Sequence, residues 1–93
     1  MASRPRSSNL QKKLDRLAEL PKDYEWGEAT ALLSALGFKT RSKGGSHVRF
    51  YDPDEPSRVV FLARPHGRNP ATILSIYLKE LHQSLKDWGF YDE

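Results

Sequence analysis

Few side chains in this sequence could carry out chemistry unaided, and His47 stands out among them. It follows a glycine turn, Lys43-Gly44-Gly45-Ser46, and opens a stretch from His47 to Tyr51 in which apolar and polar residues alternate. Alternation of this kind predicts a half-buried strand, with Val48 and Phe50 on one face and His47, Arg49 and Tyr51 on the other, solvent-facing side. Imidazole ordinarily titrates near pH ~6.5, so an exposed histidine can take or give a proton at neutral pH. Metal-free RNA cleavage needs such a group, because the 2′-hydroxyl must lose its proton as the oxygen attacks phosphorus. Cations or amides must then stabilise charge growing on the phosphoryl oxygens. Lys43, Arg49 and Arg64 are the candidate cations, and the turn amides from Gly44 to Ser46, Gly45 among them, could add a backbone nest. Tyr51 could stack on a base. The plain alternative is an ordinary surface histidine, and residue types alone favour it.

The other histidines say less. His66 lies in the loop Arg64-Pro65-His66-Gly67-Arg68, just before the last expected helix. Helix N-termini attract anions, so a phosphate could sit there with Arg64 and Arg68; equally, His66 could simply help cap that helix. His82 falls beside a leucine stripe and reads as half-buried, with no role. The histidines lack the spacing of a familiar metal site and the sequence has no cysteine, so neither a metal nor a cofactor is expected.

Charge is unevenly distributed. Residues 39–68 hold seven Lys/Arg against three acids, and residues 1–24 six against three, whereas residues 69–93 hold two against four. A basic middle suits a polyanion, although a solvated surface explains it equally well. With 93 residues, 38% apolar and 29% charged, the chain has the composition of one globular domain. It contains no run of about 18 apolar residues and no apolar leader, so a soluble cytoplasmic protein is expected.

The elements that must position these residues follow from periodicity. Ser8 and Gln11 form a capping box ahead of Leu10, Leu14, Leu17 and Leu20, a helix that Pro21 ends. Its leucine stripe needs cover, from its own domain or from a partner. A second helix is expected over Trp26–Leu36, closed by Gly37. Strands are expected at Phe38–Ser42, His47–Tyr51 and Arg58–Ala63, with Asp52–Ser57 as a polar loop. Asn69 and Pro70 should start a last helix whose buried stripe is Leu74, Leu78, Leu81, Leu85 and Trp88, stopped by Gly89. Trp26, Phe38, Phe50, Phe61 and Trp88 are the expected core aromatics. The result is an α+β two-layer domain of order α-β-β-β-α, a three-stranded antiparallel sheet with two helices on one face, plus an extra N-terminal helix. That order matches double-stranded-RNA-binding domains, though fold alone grants no function.

Taken together, the string is more specific than its parts. Glu25-Trp26 opens a helix that ends Leu32-Leu33-Ser34-Ala35-Leu36-Gly37-Phe38. Gly44-Gly45-Ser46-His47-Val48-Arg49-Phe50 follows, then Arg64-Pro65-His66 and a final leucine helix. Across roughly residues 24–86 this resembles the HicA family of toxin–antitoxin systems. The resemblance implies a double-stranded-RNA-binding-like fold, cleavage of mRNA as substrate, and neutralisation by a HicB-type antitoxin, in the bacterial cytoplasm. It carries the catalytic histidine onto His47 and the glycine–serine turn onto Gly45 and Ser46; His66 matches a loop histidine of many members. On this reading residues 1–23 are an N-terminal extension and 24–93 the ribonuclease domain. The segment after Trp88 also departs from the family pattern. The competing readings are a non-catalytic RNA-binding module with the same fold, and a pure interaction protein built on the Leu10–Leu20 stripe.

Overall fold

The computed structural model describes residues 8–42, 45–65, 67 and 71–91. In the first helix, α1 (Ser8–Ala18), Leu10, Leu14 and Leu17 recur on one face, and Leu14 and Leu17 are fully buried. The stripe therefore rests on the protein's own core. Ser8 is the first residue of α1 rather than its cap, and the Gln11 amide donates to Asp15 one turn on, at 2.9 Å. Beyond the helix, Leu20 turns into the left-handed region at φ 50°, with its N–H on the Leu17 carbonyl at 2.9 Å, and Pro21 prevents continuation.

The second helix, α2 (Trp26–Ala35), begins at a capping box made of two glutamates. Glu28 accepts the Glu25 N–H at 2.9 Å, while the Glu25 carboxylate accepts a backbone N–H in the first turn of α2. Ala29, Leu32 and Leu33 enter the core. At its end Gly37 takes φ 94°, which a side chain would resist, and Phe38 N–H returns to the Leu33 carbonyl at 2.9 Å.

Three strands follow: β1 (Lys39–Arg41), β2 (His47–Asp52) and β3 (Glu55–Ala63), antiparallel in that order. The first is shorter than expected because Phe38 closes α2 and is buried. The hairpin between β2 and β3 is tighter than the expected Asp52–Ser57 loop. Asp52 accepts the Asp54 N–H at 2.9 Å, so the reversal needs only Pro53 and Asp54. Pairing then jumps from Asp52↔Glu55 to Tyr51↔Val59. The residues between, Pro56 to Arg58, leave the ladder, which is how a proline fits within an edge strand. Val48, Phe50, Val60 and Leu62 point inward. Phe61, expected in the core, is 57% exposed: with both neighbours turned inward, the two-residue period turns it outward.

The last helix, α3 (Ser75–Asp87), starts at Ser75 rather than at Pro70. The intervening residues are bound elsewhere: Trp26 N–H donates to the Ala71 carbonyl at 2.8 Å, Ile73 N–H donates to the Tyr24 carbonyl at 2.9 Å, and Glu25 bridges Thr72. Ile73 is buried there, and Leu74, extended at φ −60° and ψ 142°, becomes the helix cap. Leu74 is consequently 48% exposed instead of heading the buried stripe, which consists of Leu78, Leu81 and Leu85. Trp88 is half-buried and stacks on Phe38 at 6.0 Å; Trp26 is half-buried against Phe50 at 6.1 Å. Gly89 at φ 83° ends the helix, and the Tyr91 hydroxyl donates to the Leu14 carbonyl at 2.8 Å, tying the following turn to α1. The helices and the inner sheet face share one core, an α+β architecture with an open sheet. No helix among the described residues is long and apolar enough to cross a membrane.

Arg16 of α1 clamps the start of α2, its Nε 2.9 Å from Glu28. This bond, with the Glu25 N–H adding and burial opposing, holds the Glu28 carboxyl below the usual range. A carboxyl lowered on folding stabilises the fold above its unfolded value of about 4.3, and that stability is lost as pH falls through the folded value. Glu28→Gln should therefore lower the melting temperature at pH 7 and soften its decline below about pH 4. Identical melting curves at pH 7 for the variant and the parent would show that the clamp stabilises nothing.

Candidate active site

At the far end of the hairpin, β2 opens at His47 opposite Ala63. One further backbone bond, Arg64 N–H to the Ser46 carbonyl at 2.7 Å, carries the pairing past both strands. It sets Ser46 and Arg64 side by side and fixes how the turn delivers His47. The imidazole then lies between two hydroxyls. Ser46 Oγ is 3.3 Å from Nδ1, and the Tyr77 hydroxyl is 3.3 Å from Nε2, the tyrosine ring meeting the imidazole edge-on at 6.2 Å. Tyr77 comes from the first turns of α3, in the layer that covers the sheet. His47 is exposed, but it does not simply face the open side of the sheet as its strand position suggested. It occupies the rim where sheet and helix layer meet.

This arrangement suits proton transfer. A hydroxyl both donates and accepts, so Ser46 and Tyr77 can satisfy either neutral tautomer of His47 and the charged ring as well. At 3.3 Å both contacts are at the long end of hydrogen bonding, and an incoming substrate oxygen can displace one of them.

The other sequence candidates divide by position. Lys43, His66 and Arg68, together with Gly44, lie outside the described residues. Gly45 and Ser46 are exposed in the turn, and Arg64 is exposed beside them. Adjacent glycines permit positive φ and close backbone approach, but Gly45 uses neither: its φ is not in the left-handed region, and among the described residues nothing lies near where its Cβ would be. Arg49 is exposed two residues along the strand from His47, about 7 Å away, and Tyr51 four residues along, about 13 Å away. The structure thus gathers Ser46, His47 and Arg64 and leaves Tyr51 apart, beneath the Arg41 guanidinium at 6.0 Å. Tyr77 was missed because it sits off the leucine stripe, and nothing in helical periodicity links it to a strand thirty residues earlier. His82 is half-buried, edge-on to Tyr91 at 5.1 Å, and burial, with Lys86 adding, pushes its pKa below the ordinary imidazole value. Among the described residues no group of three or more His, Cys, Asp or Glu could hold a metal ion.

Comparisons with protein-family profiles, with curated proteins and with solved structures find no match.

Two substitutions test this geometry. Tyr77→Phe should shift the Nε2 resonance of His47 in ¹⁵N spectra while leaving the fold intact; an unchanged resonance would mean that the contact does not form in solution. Gly45→Ala should leave the melting temperature unchanged, and a drop of several degrees would show that the turn needs glycine for its own backbone.

Proposed function

We propose that this chain is the toxin of a toxin–antitoxin pair: a metal-independent endoribonuclease of HicA type that cleaves mRNA through His47. The observation that carries this reading is the setting of His47, held between the Ser46 and Tyr77 hydroxyls beside Arg64, directly after the Gly-Gly-Ser turn. The α-β-β-β-α order from α2 to α3 is that of double-stranded-RNA-binding domains, which adds fold-level support.

The chemistry follows from the geometry. His47 takes the 2′-hydroxyl proton as the 2′-oxygen attacks the adjacent phosphorus. The bond to the 5′-oxygen of the next nucleotide breaks, and that oxygen takes up a proton, leaving a cyclic phosphate behind. Tyr77, in contact with Nε2, is placed to relay a proton, and Arg64 and Arg49 supply positive charge for the crowded phosphoryl oxygens. In the bacterial cytoplasm such an activity must be held in check, and a HicB-type antitoxin would do so by covering the His47 rim. An acidic patch on that partner suits the basic residues 39–68. The α1 stripe is not its docking surface, because Leu14 and Leu17 are already covered.

The alternative is an RNA-binding module without catalysis, favoured by the distance of the Arg41–Tyr51 pair from His47. His47→Ala separates the two readings. Cleavage of a labelled mRNA should fall by roughly 10²–10⁴-fold, with RNA binding kept and EDTA without effect on the parent protein. Cleavage by the variant at close to the parental rate would remove His47 from the mechanism.

A further inference from the structure

We propose that the open face of the sheet is a stacking platform for single-stranded RNA, its bases laid on Phe61 and Tyr51 and its phosphates met by Lys39, Arg41 and Arg49. The proposal deepens the ribonuclease reading by naming the form of its substrate, and takes RNA as the ligand from that reading.

The strand register builds the face. Residues paired across an antiparallel sheet share a side, and the helices cover the side of Val48, Phe50, Val60 and Leu62. The uncovered side therefore carries two complete rows. Lys39, Tyr51 and Val59 form one; Arg41, Arg49 and Phe61 form the next. These rows contain three cations and no acid. Phe61 is 57% exposed, and Tyr51 stands diagonally from it on the neighbouring strand, a separation of about 7–8 Å. Arg41 lies over the Tyr51 ring at 6.0 Å, and Arg41, Arg49, Tyr51 and Pro56 line a shallow depression of about 180 Å³ beside it. Pro56 reaches that position only because the bulge throws it out of the ladder.

An exposed phenyl ring and a half-buried tyrosine, interleaved with cations in rows that themselves hold no acid, suit an unpaired nucleic acid strand: every base has a face to stack, and every linkage a charge to neutralise. A duplex fits poorly, since its base faces are consumed by its own stacking and a flat face offers nothing to a groove. The row order also gives the strand a direction. From Tyr51, past Arg49, β2 leads to His47 at the rim, so a strand held on the platform is fed toward the group proposed to cut it.

The test uses a short single-stranded 2′-O-methyl oligoribonucleotide, which cannot be cleaved by 2′-oxygen attack, and the same strand annealed to its complement. Fluorescence anisotropy should show the parent protein binding the single strand more tightly than the duplex. Phe61→Ala and Tyr51→Ala should each weaken single-strand binding by roughly 5- to 100-fold, the range expected for one lost base–ring stack. Phe61→Trp should retain affinity and Phe61→Leu should not, since a leucine keeps apolar area without a ring face. Arg41→Ala should weaken binding and flatten its salt dependence. Preference for the duplex overturns the platform. So does parental affinity in both alanine variants, or a parent protein that sediments as a dimer and dissociates on Phe61→Ala, which would assign the face to a second copy. The two readings can fail separately: loss of binding in the ring variants without cleavage of natural RNA by the parent keeps the platform and removes the ribonuclease. Cleavage with unchanged affinity in those variants does the reverse.

Discussion

The antiparallel bridge between Tyr24–Trp26 and Ala71–Ile73 is the contact on which the rest of the arrangement turns. Two backbone bonds, at 2.8 and 2.9 Å, bind the entry to α2 to the segment leading into α3. Tyr24 and Ile73 are both buried around it, and burial raises the Tyr24 hydroxyl pKa well above the ordinary phenol value. Because residues 71–73 are committed to this pairing, α3 cannot begin before Ser75, and that start sets the position of Tyr77. A helix begun at Pro70 would put Tyr77 about two turns from its start, whereas here Tyr77 lies in the first turn. The link between a strap on one side of the molecule and a hydroxyl contact at His47 is therefore geometric, passing through the first turns of one helix.

A second constraint acts on the opposite pair of elements. Arg16 of α1 meets both Glu28 and Asp23, so the turn between α1 and α2 is held by charge as well as by the buried leucines. Glu28 contributes twice, accepting the Glu25 N–H that opens α2 and the Arg16 guanidinium from α1. Helix initiation and helix docking thus share one carboxylate. The groups are partly exposed, which limits how much any one pair contributes, and the weight falls on Leu14 and Leu17, which fill the core beside α3. With those leucines buried and the Tyr91 hydroxyl on the Leu14 carbonyl, α1 belongs to the same packed unit as the sheet.

The readable parts of this molecule were those written in periodicity. Val48, Phe50, Val60 and Leu62 alternate, Leu78, Leu81 and Leu85 recur at helical spacing, and Gly37 and Gly89 stop helices where positive φ is required. Pairing and position were less legible. A proline after an asparagine resembles a helix start; Asn69 and Pro70 lie outside the described residues, and the long-range bonds of Ala71 and Ile73 to Trp26 and Tyr24 are what put the start of α3 at Ser75. The run Val59-Val60-Phe61-Leu62 is apolar throughout, so composition cannot say which residue faces out; the partner strand decides, and it turns Phe61 to the open side. Among the site residues, Ser46 and Arg64 are sequence neighbours of strand ends and were legible for that reason. Tyr77 became visible only when α3 was set across the rim, and Arg41 only when β1 was paired in register.

The position of His47 has a consequence for how the site can work. A histidine in the middle of the open face would have its ring in water, with its orientation set by nothing. At the first position of β2 the strand still fixes its backbone, through the Ala63 pair and the Arg64–Ser46 bond, while the ring projects to where a second layer can reach it. Ser46 and Tyr77 then restrain it from both nitrogens without enclosing it. Long contacts to hydroxyls are a weak restraint, and the proposed role as general base asks only that His47 keep its orientation and still yield one partner to the substrate. On the proposed reading, proton transfer belongs to the rim and binding to the broad face beside it, with Arg49, two residues from His47 on β2, serving both. Under that proposal, a partner that covered the rim alone would block proton transfer and leave the RNA-binding face exposed.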